Sequence, residues 1–345
     1  MKLIKDITKI KKFESLISNK KHVLIVSHFN PDGDAVGSVV GLYYYLRDLN
    51  IDVNIILPST FPQNVSFLDI KEGIIIYEKD IDKSKEIINK TDLLFCLDCY
   101  SLSRTGAMSD LLLNLDCSKI IIDHHLYPSE NEFDLVISNI KASSACELLF
   151  YLLMDTEKVN SDVMNINIKG ALALAVGLLT DTNNFSNSTT ELTYNMASLL
   201  TKRGVDLMRL NETLFKSNPI RKLKLMGEML SAQLVIMEEE QAAYMILTKE
   251  IKEKFGFMPG DAEGFVNLPL TLEKVRISAF FTESDDYVRV SLRCKSGISV
   301  NDLSKKYFNG GGHAKAAGGR LDMKIEQVPK YFEKSLKEFL KEKQD

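Results

Sequence analysis

Apolar positions follow two rhythms along the first half of the chain. Short apolar runs at Val23–Phe29, Val53–Leu57, Leu93–Leu97 and Ile120–Ile122 alternate with helical patterns at Ala35–Leu49, Ile81–Asn89 and Ser144–Met154. Runs of strand length that stay apolar on both faces read as strands covered from both sides, the habit of parallel sheets. Their alternation with helices predicts an α/β fold, a mainly parallel sheet with helices on both faces. A further apolar helix, Ile168–Leu179, delivers Asp181 just past its end.

From Thr190 to about Leu230 the pattern is wholly helical, punctuated by Pro219, and predicts a helical linker over residues 190–230. Beyond it the elements change character. Leu234–Met237 and Ala242–Leu247 flank Glu238-Glu239-Glu240-Gln241 as a hairpin would, and Val275–Thr282 and Tyr287–Arg293 flank the turn-like Ser284-Asp285-Asp286. A helix at Val300–Phe308 leads into a glycine-rich loop, and Ile325–Lys343 closes the chain as an amphipathic helix. The division expected is a larger lobe over residues 1–189, the linker, and a smaller α+β lobe over residues 231–345. No internal repeat is visible.

Composition narrows the picture. A chain of 345 residues suits two domains. A net charge of −4 argues against gripping long nucleic acid through a basic surface, while leaving room for a local basic groove. Five cysteines, an odd number, and no signal sequence point to a reducing, cytoplasmic setting. The stretch Lys2 to Lys21 alternates charge with Ile and Leu, so it reads as neither signal peptide nor membrane helix.

Candidate chemistry sits at the ends of the apolar runs. His28-Phe29-Asn30-Pro31-Asp32-Gly33-Asp34 follows the first; Asp98 follows the third; Asp123-His124-His125 follows the fourth; Asp181 follows the apolar helix. Strand ends of one parallel sheet converge on a common crevice, and hard divalent metals favour mixed carboxylate and imidazole. The pattern suggests a two-metal hydrolase of phosphoesters, with ions about 3.5–4 Å apart. Each piece alone has a plainer reading. Asp32 and Asp34 could be turn residues, and Asp98 a cap. Cys96-x-x-Cys99 could suggest redox or zinc chemistry, but no second pair exists, so packing is expected. His124 and His125 are adjacent on an extended segment and should point oppositely, so both are not expected on one metal. Asp181 opposes the negative end of its helix dipole, a local cost that invites a functional reason. Arg104 is either solvated or a phosphate contact. Ser143-Ser144 reads first as a helix cap, with phosphate binding at the helix start as the alternative. Gly310-Gly311-Gly312 is either a flexible turn or an anion nest beside His313.

Taken in order, the His-x-x-x-Asp-x-Asp turn, Asp98, the Asp-His-His triplet, Asp181 and Gly310-Gly311-Gly312-His313 resemble the DHH phosphoesterases over nearly the whole chain, and within them the type that degrades nano-RNA and dephosphorylates 3'-phosphoadenosine 5'-phosphate. The resemblance implies two divalent ions, Mn²⁺ foremost with Mg²⁺ or Co²⁺ as alternatives. They would be held by His28, Asp32, Asp34, Asp98, His124 and Asp181, with Asp98 bridging. It implies that His125 faces the substrate, in phosphate contact or acid–base work; Asp123 either backs a ligand imidazole or caps the strand end. Arg293, Gly310, Gly311, Gly312 and His313 of a DHH-associated second domain would grip the substrate, with Arg104 joining them. Asn309 stands where relatives often carry another Gly, which would stiffen the loop. Glu263-Gly264-Phe265-Val266-Asn267 also matches this lobe and reads as structural.

The implied activity is hydrolysis of short single-stranded RNA and linear dinucleotides to mononucleotides, with a 3'(2'),5'-bisphosphate nucleotidase side activity. One alternative is a cyclic dinucleotide phosphodiesterase, although such relatives usually carry membrane or sensor domains. From another class, a catalytically silent nucleotide-binding protein would need no intact ligand set. Membrane partners are not expected, and a homodimer is left open.

Overall fold

The computed structural model describes residues 3–342 apart from 5, 19, 21, 69, 71, 72 and 296. The chain divides into two compact units, Met1–Ser217 and Asn218–Asp345.

In the first unit α1 (Ile7–Ile17), β1 (His22–Val26), α2 (Gly33–Arg47), β2 (Asp52–Leu57), β3 (Ile75–Ile76), α3 (Ile81–Lys90), β4 (Leu93–Leu97) and α4 (Ser109–Leu113) come first. They are followed by β5 (Ser118–Asp123), β6 (Leu135–Ser138), α5 (Ala145–Met154), α6 (Ile168–Asp181), α7 (Glu191–Arg203) and α8 (Leu207–Phe215). The strands form one sheet of order β3-β2-β1-β4-β5-β6 in which every pairing is parallel. The apolar runs are explained by coverage of both faces. Val23, Ile25, Phe95 and Ile122 face a core shared with Phe13, Leu46, Leu149 and Leu174, whereas Leu24, Val26, Leu94 and Cys96 face one shared with Ile88 and Leu112. Strand order reverses between β1 and β4, and a crevice opens beyond the carboxyl ends at such a point.

Helices α2 and α6 pack closely. A Cβ on Gly177 would collide with Cys146 Sγ and Asp34 Oδ1. Only glycine there lets the start of α2 reach α6, whose last residue is Asp181.

The helical stretch expected as a linker is divided between the units. Met196, Leu200, Leu210 and Leu214 of α7 and α8 are buried in the first unit's core. The next helix, α9 (Ile220–Ser231), buries Leu225 and Met229 in the second unit. Pro219 precedes α9, where its missing N–H costs nothing.

The second unit continues with β7 (Val235–Met237), β8 (Ala242–Leu247), α10 (Lys249–Phe255), β9 (Ile277–Glu283), β10 (Val288–Cys294), α11 (Val300–Tyr307), β11 (Gly311–Gly312), β12 (Ala316–Leu321) and α12 (Val328–Glu342). Lys343, expected in the last helix, lies outside the described residues. The sheet order is β11-β12-β10-β9-β8-β7, antiparallel throughout except β8 with β9. That parallel pair needs a crossover, and α10 lies in it. Val288, Val290 and Leu292 face Leu303, Phe332 and Leu336, while Phe280 and Met245 on the other face pack with Phe265 and Val266. The segment read as structural, Glu263–Asn267, thus places two of its side chains in a core.

Candidate metal centre

The ends of three neighbouring strands lead into five of the six predicted metal donors, and α6 ends on the sixth, Asp181. After β1, Ser27 Oγ donates to the Leu97 carbonyl at 2.7 Å, tying the ends of β1 and β4 together. His28 and Asp98 follow these ties, with His28 Nε2 3.5 Å from Asp98 Oδ2. Asp98 takes a positive φ of 53°, a conformation Asp tolerates better than most residues, and its N–H donates to Ile122 O at 3.0 Å. Beyond β5, His124 Nε2 lies 3.5 Å from Asp98 Oδ1, 3.8 Å from Asp34 Oδ2 and 3.4 Å from Asp181 Oδ2. Ligand atoms of His28, Asp32 and Asp98 lie within 4.8 Å of one another, as do those of Asp34, His124 and Asp181, and those of Asp98, His124 and His125. All six residues expected as metal ligands are thereby brought together, with Asp98 common to two of the clusters.

Each donor is held from behind. Asp32 caps α2, its Oδ1 accepting from Asp34 N at 3.0 Å and Ala35 N at 3.1 Å. Asp34 accepts from Ala145 N at 2.6 Å and Cys146 N at 2.9 Å, the first amides of α5. The start of α5 therefore holds a carboxylate of this chain instead of the external phosphate allowed by the sequence. His28 Nδ1 faces its neighbour's carbonyl, Phe29 O, at 2.9 Å, and His124 Nδ1 faces Ala142 O at 3.4 Å. Both rings then present Nε2 to the carboxylates, the usual arrangement behind a ligating imidazole.

The charges of the site act strongly on one another. Burial, together with the Asp98 charge, pushes the Asp34 carboxyl up to about 7, against the pull of His124. Burial and Asp34 likewise push Asp181 well above the usual carboxylate range. Burial would also raise Asp98, but His124 and His28 hold it below that range. Burial depresses His28, yet Asp98 and Asp32 more than offset this and hold the imidazole at about 10. Asp98 Oδ1 is buried with no hydrogen-bond donor among the described residues; its 3.5 Å approach to His124 is an ion pair without hydrogen-bond geometry. Carboxylates crowded beyond what two imidazoles neutralise, with one oxygen left over, fit divalent cations.

His125 departs from the sequence expectation in one respect. Alternation along an extended segment was expected to turn it away from its neighbour, but β5 ends at Asp123 and the chain bends. The His124 and His125 rings lie 4.7 Å apart, and His125 Nδ1 comes 3.6 Å from Asp98 Oδ1. Asp123 backs this histidine, not His124: it accepts from His125 Nδ1 at 2.8 Å and from the His125 amide at 3.1 Å. Burial lowers the His125 pKa, and the Asp123 and Asp98 carboxylates more than reverse that.

Other predicted residues lie further out. Arg104 is exposed, its guanidinium 5.5 Å from the centre of the Tyr100 ring, which stands 6.3 Å from His125. Arg104 O accepts from Phe29 N at 2.7 Å, so its backbone braces the His28 turn. Cys96 and Cys99 are buried, with Cys99 Sγ donating to Ser101 O, as packing residues would be. Arg293, Gly310, Gly311, Gly312 and His313 all belong to the second unit. Arg293 pairs in register with Ala316, and His313 N donates to Ala316 O at 2.7 Å. The glycines are not a loose loop. A Cβ on Gly310 would collide with Gly318 O, and one on Gly312 would lie 2.5 Å from Ala316 O, because β11 pairs tightly on β12. The Arg293 side chain is half-buried, and burial with the Arg289 charge lowers its pKa.

Two acidic residues that organise the centre were not foreseen. Glu132 accepts from Leu102 N and Ser101 Oγ, at 2.8 and 3.0 Å, fixing the loop after Asp98. Glu147 accepts from Ser143 N at 2.5 Å. The spacing Ser144-x-x-Glu147 is a capping-box signature and was the available signal for the second.

A parallel α/β sheet with carboxylates and imidazoles gathered at its carboxyl edge, joined to a mixed-sheet second unit, is the class of protein these observations define. Residues 22–178 match the DHH family N-terminal domain, and residues 240–342 the DHHA1 domain. The chain is 30% identical over 304 residues to the bifunctional oligoribonuclease and PAP phosphatase NrnA of Bacillus subtilis, covering 87% of this chain and 89% of that protein. It is 29% identical over 316 residues to a probable NrnA of Streptococcus mutans, covering 90% and 91%. The crystal structure of an exopolyphosphatase-related protein from Bacteroides fragilis superposes with a TM-score of 0.91 at 33% identity, over 97% of each chain. The chain belongs to the DHH family. No helix among the described residues is long and apolar enough to cross a membrane.

Proposed function

We propose that this chain is a metal-dependent phosphoesterase that hydrolyses short oligoribonucleotides and linear dinucleotides to mononucleotides and also removes the 3'-phosphate of 3'-phosphoadenosine 5'-phosphate. The observation that carries the reading is Asp98: a buried carboxylate between His28 and His124, one oxygen of which has no hydrogen-bond donor among the described residues. The relatives named for these two activities supply the substrate class. His28 and Asp32 would hold one ion, Asp34, His124 and Asp181 the other, and Asp98 would serve both. Mn²⁺ is the proposed ion, with Mg²⁺ and Co²⁺ as competitors. When bound, such ions polarise the phosphoester and lower the pKa of water.

The chain's own groups do the rest. Asp123 accepts a hydrogen bond from the Nδ1–H of His125, so Nε2 is the atom that exchanges a proton with, or donates to, a phosphate oxygen. Arg104, over Tyr100, offers a planar cation for a second phosphate at the rim. Arg293 and His313 of the second unit grip the substrate's far phosphate or base, while Gly310, Gly311 and Gly312 set the backbone that carries His313. The test is turnover by the full chain with Mn²⁺ on linear dinucleotides, longer RNA, 3'-phosphoadenosine 5'-phosphate and cyclic dinucleotides. Metal-dependent cleavage should be fastest on the linear dinucleotides. Preferred cleavage of the cyclic compounds, or nucleotide binding with no turnover, would overturn the reading.

A further inference from the structure

The turn before α5 contacts two proposed ligands without being one. Ala142 O faces His124 Nδ1 at 3.4 Å, which sets that ring so that Nε2 points at the carboxylates. Ala145 N and Cys146 N, three and four residues on, donate to the two oxygens of Asp34. Within the turn, Ser144 Oγ accepts from Glu147 N at 2.9 Å, and Glu147 Oε2 reaches back to Ser143 N. An ordinary capping box would reach the cap residue's own N–H; here the carboxyl reaches one residue further and closes the turn that carries Ala142. The Glu147 side chain is fully buried, and its second oxygen, like Ser143 Oγ, has no partner among the described residues. Burying a carboxyl group for a single accepted hydrogen bond is a poor exchange for fold stability alone. Ser144 already caps the helix.

We infer that Glu147 is a positioning residue of the metal centre: by closing the 142–144 turn it holds Asp34 and His124 in ligating poses. The inference rests on the metal-centre reading above. Its acceptor oxygen, not its charge, carries the role, since what it fixes is an N–H. Removing a group behind a metal ligand typically weakens metal binding about ten- to a hundredfold. Glu147→Ala should therefore weaken Mn²⁺ binding, measured by calorimetry on the full chain, by about that factor. It should also alter the electron paramagnetic resonance spectrum of bound Mn²⁺. Glu147→Gln keeps an acceptor oxygen at the same reach and should restore both. Glu147→Asp keeps the charge but withdraws the oxygen and should resemble Ala. Leu152→Ala, a cavity further along the same buried helix, should lower the melting temperature and leave Mn²⁺ affinity unchanged. If Glu147→Ala does not fold, the Gln and Asp variants decide. Wild-type affinity in the Ala or Asp variant, equal losses in Gln and Ala, or an equal loss in Leu152→Ala would each overturn the inference. A wild-type chain that binds no Mn²⁺ would instead overturn the metal centre itself.

Discussion

The two units carry six-stranded sheets of opposite temperament. In the first, all strands run parallel and chemistry gathers where β1, β4 and β5 end, inside the protein: Asp34 and Asp98 are 1% and 3% exposed. In the second, the candidate residues lie along β10 and the β11–β12 edge, where Gly312 is exposed and His313 and Arg293 are half-buried. Buried, crowded carboxylates are costly until a cation neutralises them. A half-buried arginine and imidazole keep part of their hydration and cost less than fully buried carboxylates. The first arrangement suits holding ions in fixed geometry, the second suits a substrate that comes and goes.

The sharpest way to break this comparison is at its buried end. Asp98→Ala removes a buried carboxylate common to two of the ligand clusters. It should lower kcat at least about a thousandfold, some 4 kcal/mol at 1.36 kcal/mol per decade. Circular dichroism should show the fold retained. A variant with near-normal turnover would end the two-ion assignment.

At the other end, Arg293→Ala and His313→Ala should each cost roughly ten- to a hundredfold in kcat/KM, the worth of a charge-assisted hydrogen bond to phosphate. Mn²⁺ affinity should not move. The loss should shrink on bis-p-nitrophenyl phosphate, which offers no second phosphate. Equal damage on both substrates, or lost metal binding, would erase the distinction between units.

The same contrast explains what the sequence made legible. Strands β1, β2, β4 and β5 could be read because two-sided burial writes long apolar runs; the donors at the ends of those runs and of the apolar helix stood out as candidates, and the family resemblance is what singled out six of them as ligands. The two-residue β3 and the half-buried β6 are too short to register. Strands β11 and β12 hid in a glycine-rich segment, where backbone packing, not side chains, makes the contact. The neighbouring roles of His124 and His125 could not be separated by strand alternation, since the strand stops one residue earlier. Helices α7 and α8 looked like a linker because an amphipathic pattern does not say which core covers it.

Proton competition gives a smaller, graded test of the buried site. In the metal-free protein His28 titrates at about 10, because Asp98 and Asp32 outweigh the effect of burial. An imidazole binds metal only when neutral. Raising pH from 7 towards 10 should therefore strengthen Mn²⁺ binding by up to about tenfold per pH unit for one displaced proton. Binding in weak buffer should release protons. The stability sign is opposite: the raised His28 pKa stabilises the metal-free fold fully below about 6.5, its unfolded value, and that contribution fades as pH rises through 10. Metal affinity flat with pH would mean that the His28 ring is not a ligand.

The smallest effect expected concerns the glycine strand itself. Gly312 has φ 149° and sits where a Cβ would lie 2.5 Å from Ala316 O and 2.8 Å from Ala317 Cα. Gly312→Ala must therefore either open the β11–β12 pairing or strain the backbone, at about 1–3 kcal/mol. The melting transition of the second unit should fall by a few degrees. Because the displaced backbone leads directly into His313, kcat/KM on dinucleotides should fall with it, while Mn²⁺ affinity in the first unit stays put. A flexible, solvent-facing turn would absorb the methyl group with neither change, so an unaltered melting temperature together with unaltered kcat/KM would show that the glycines are not holding the edge in place.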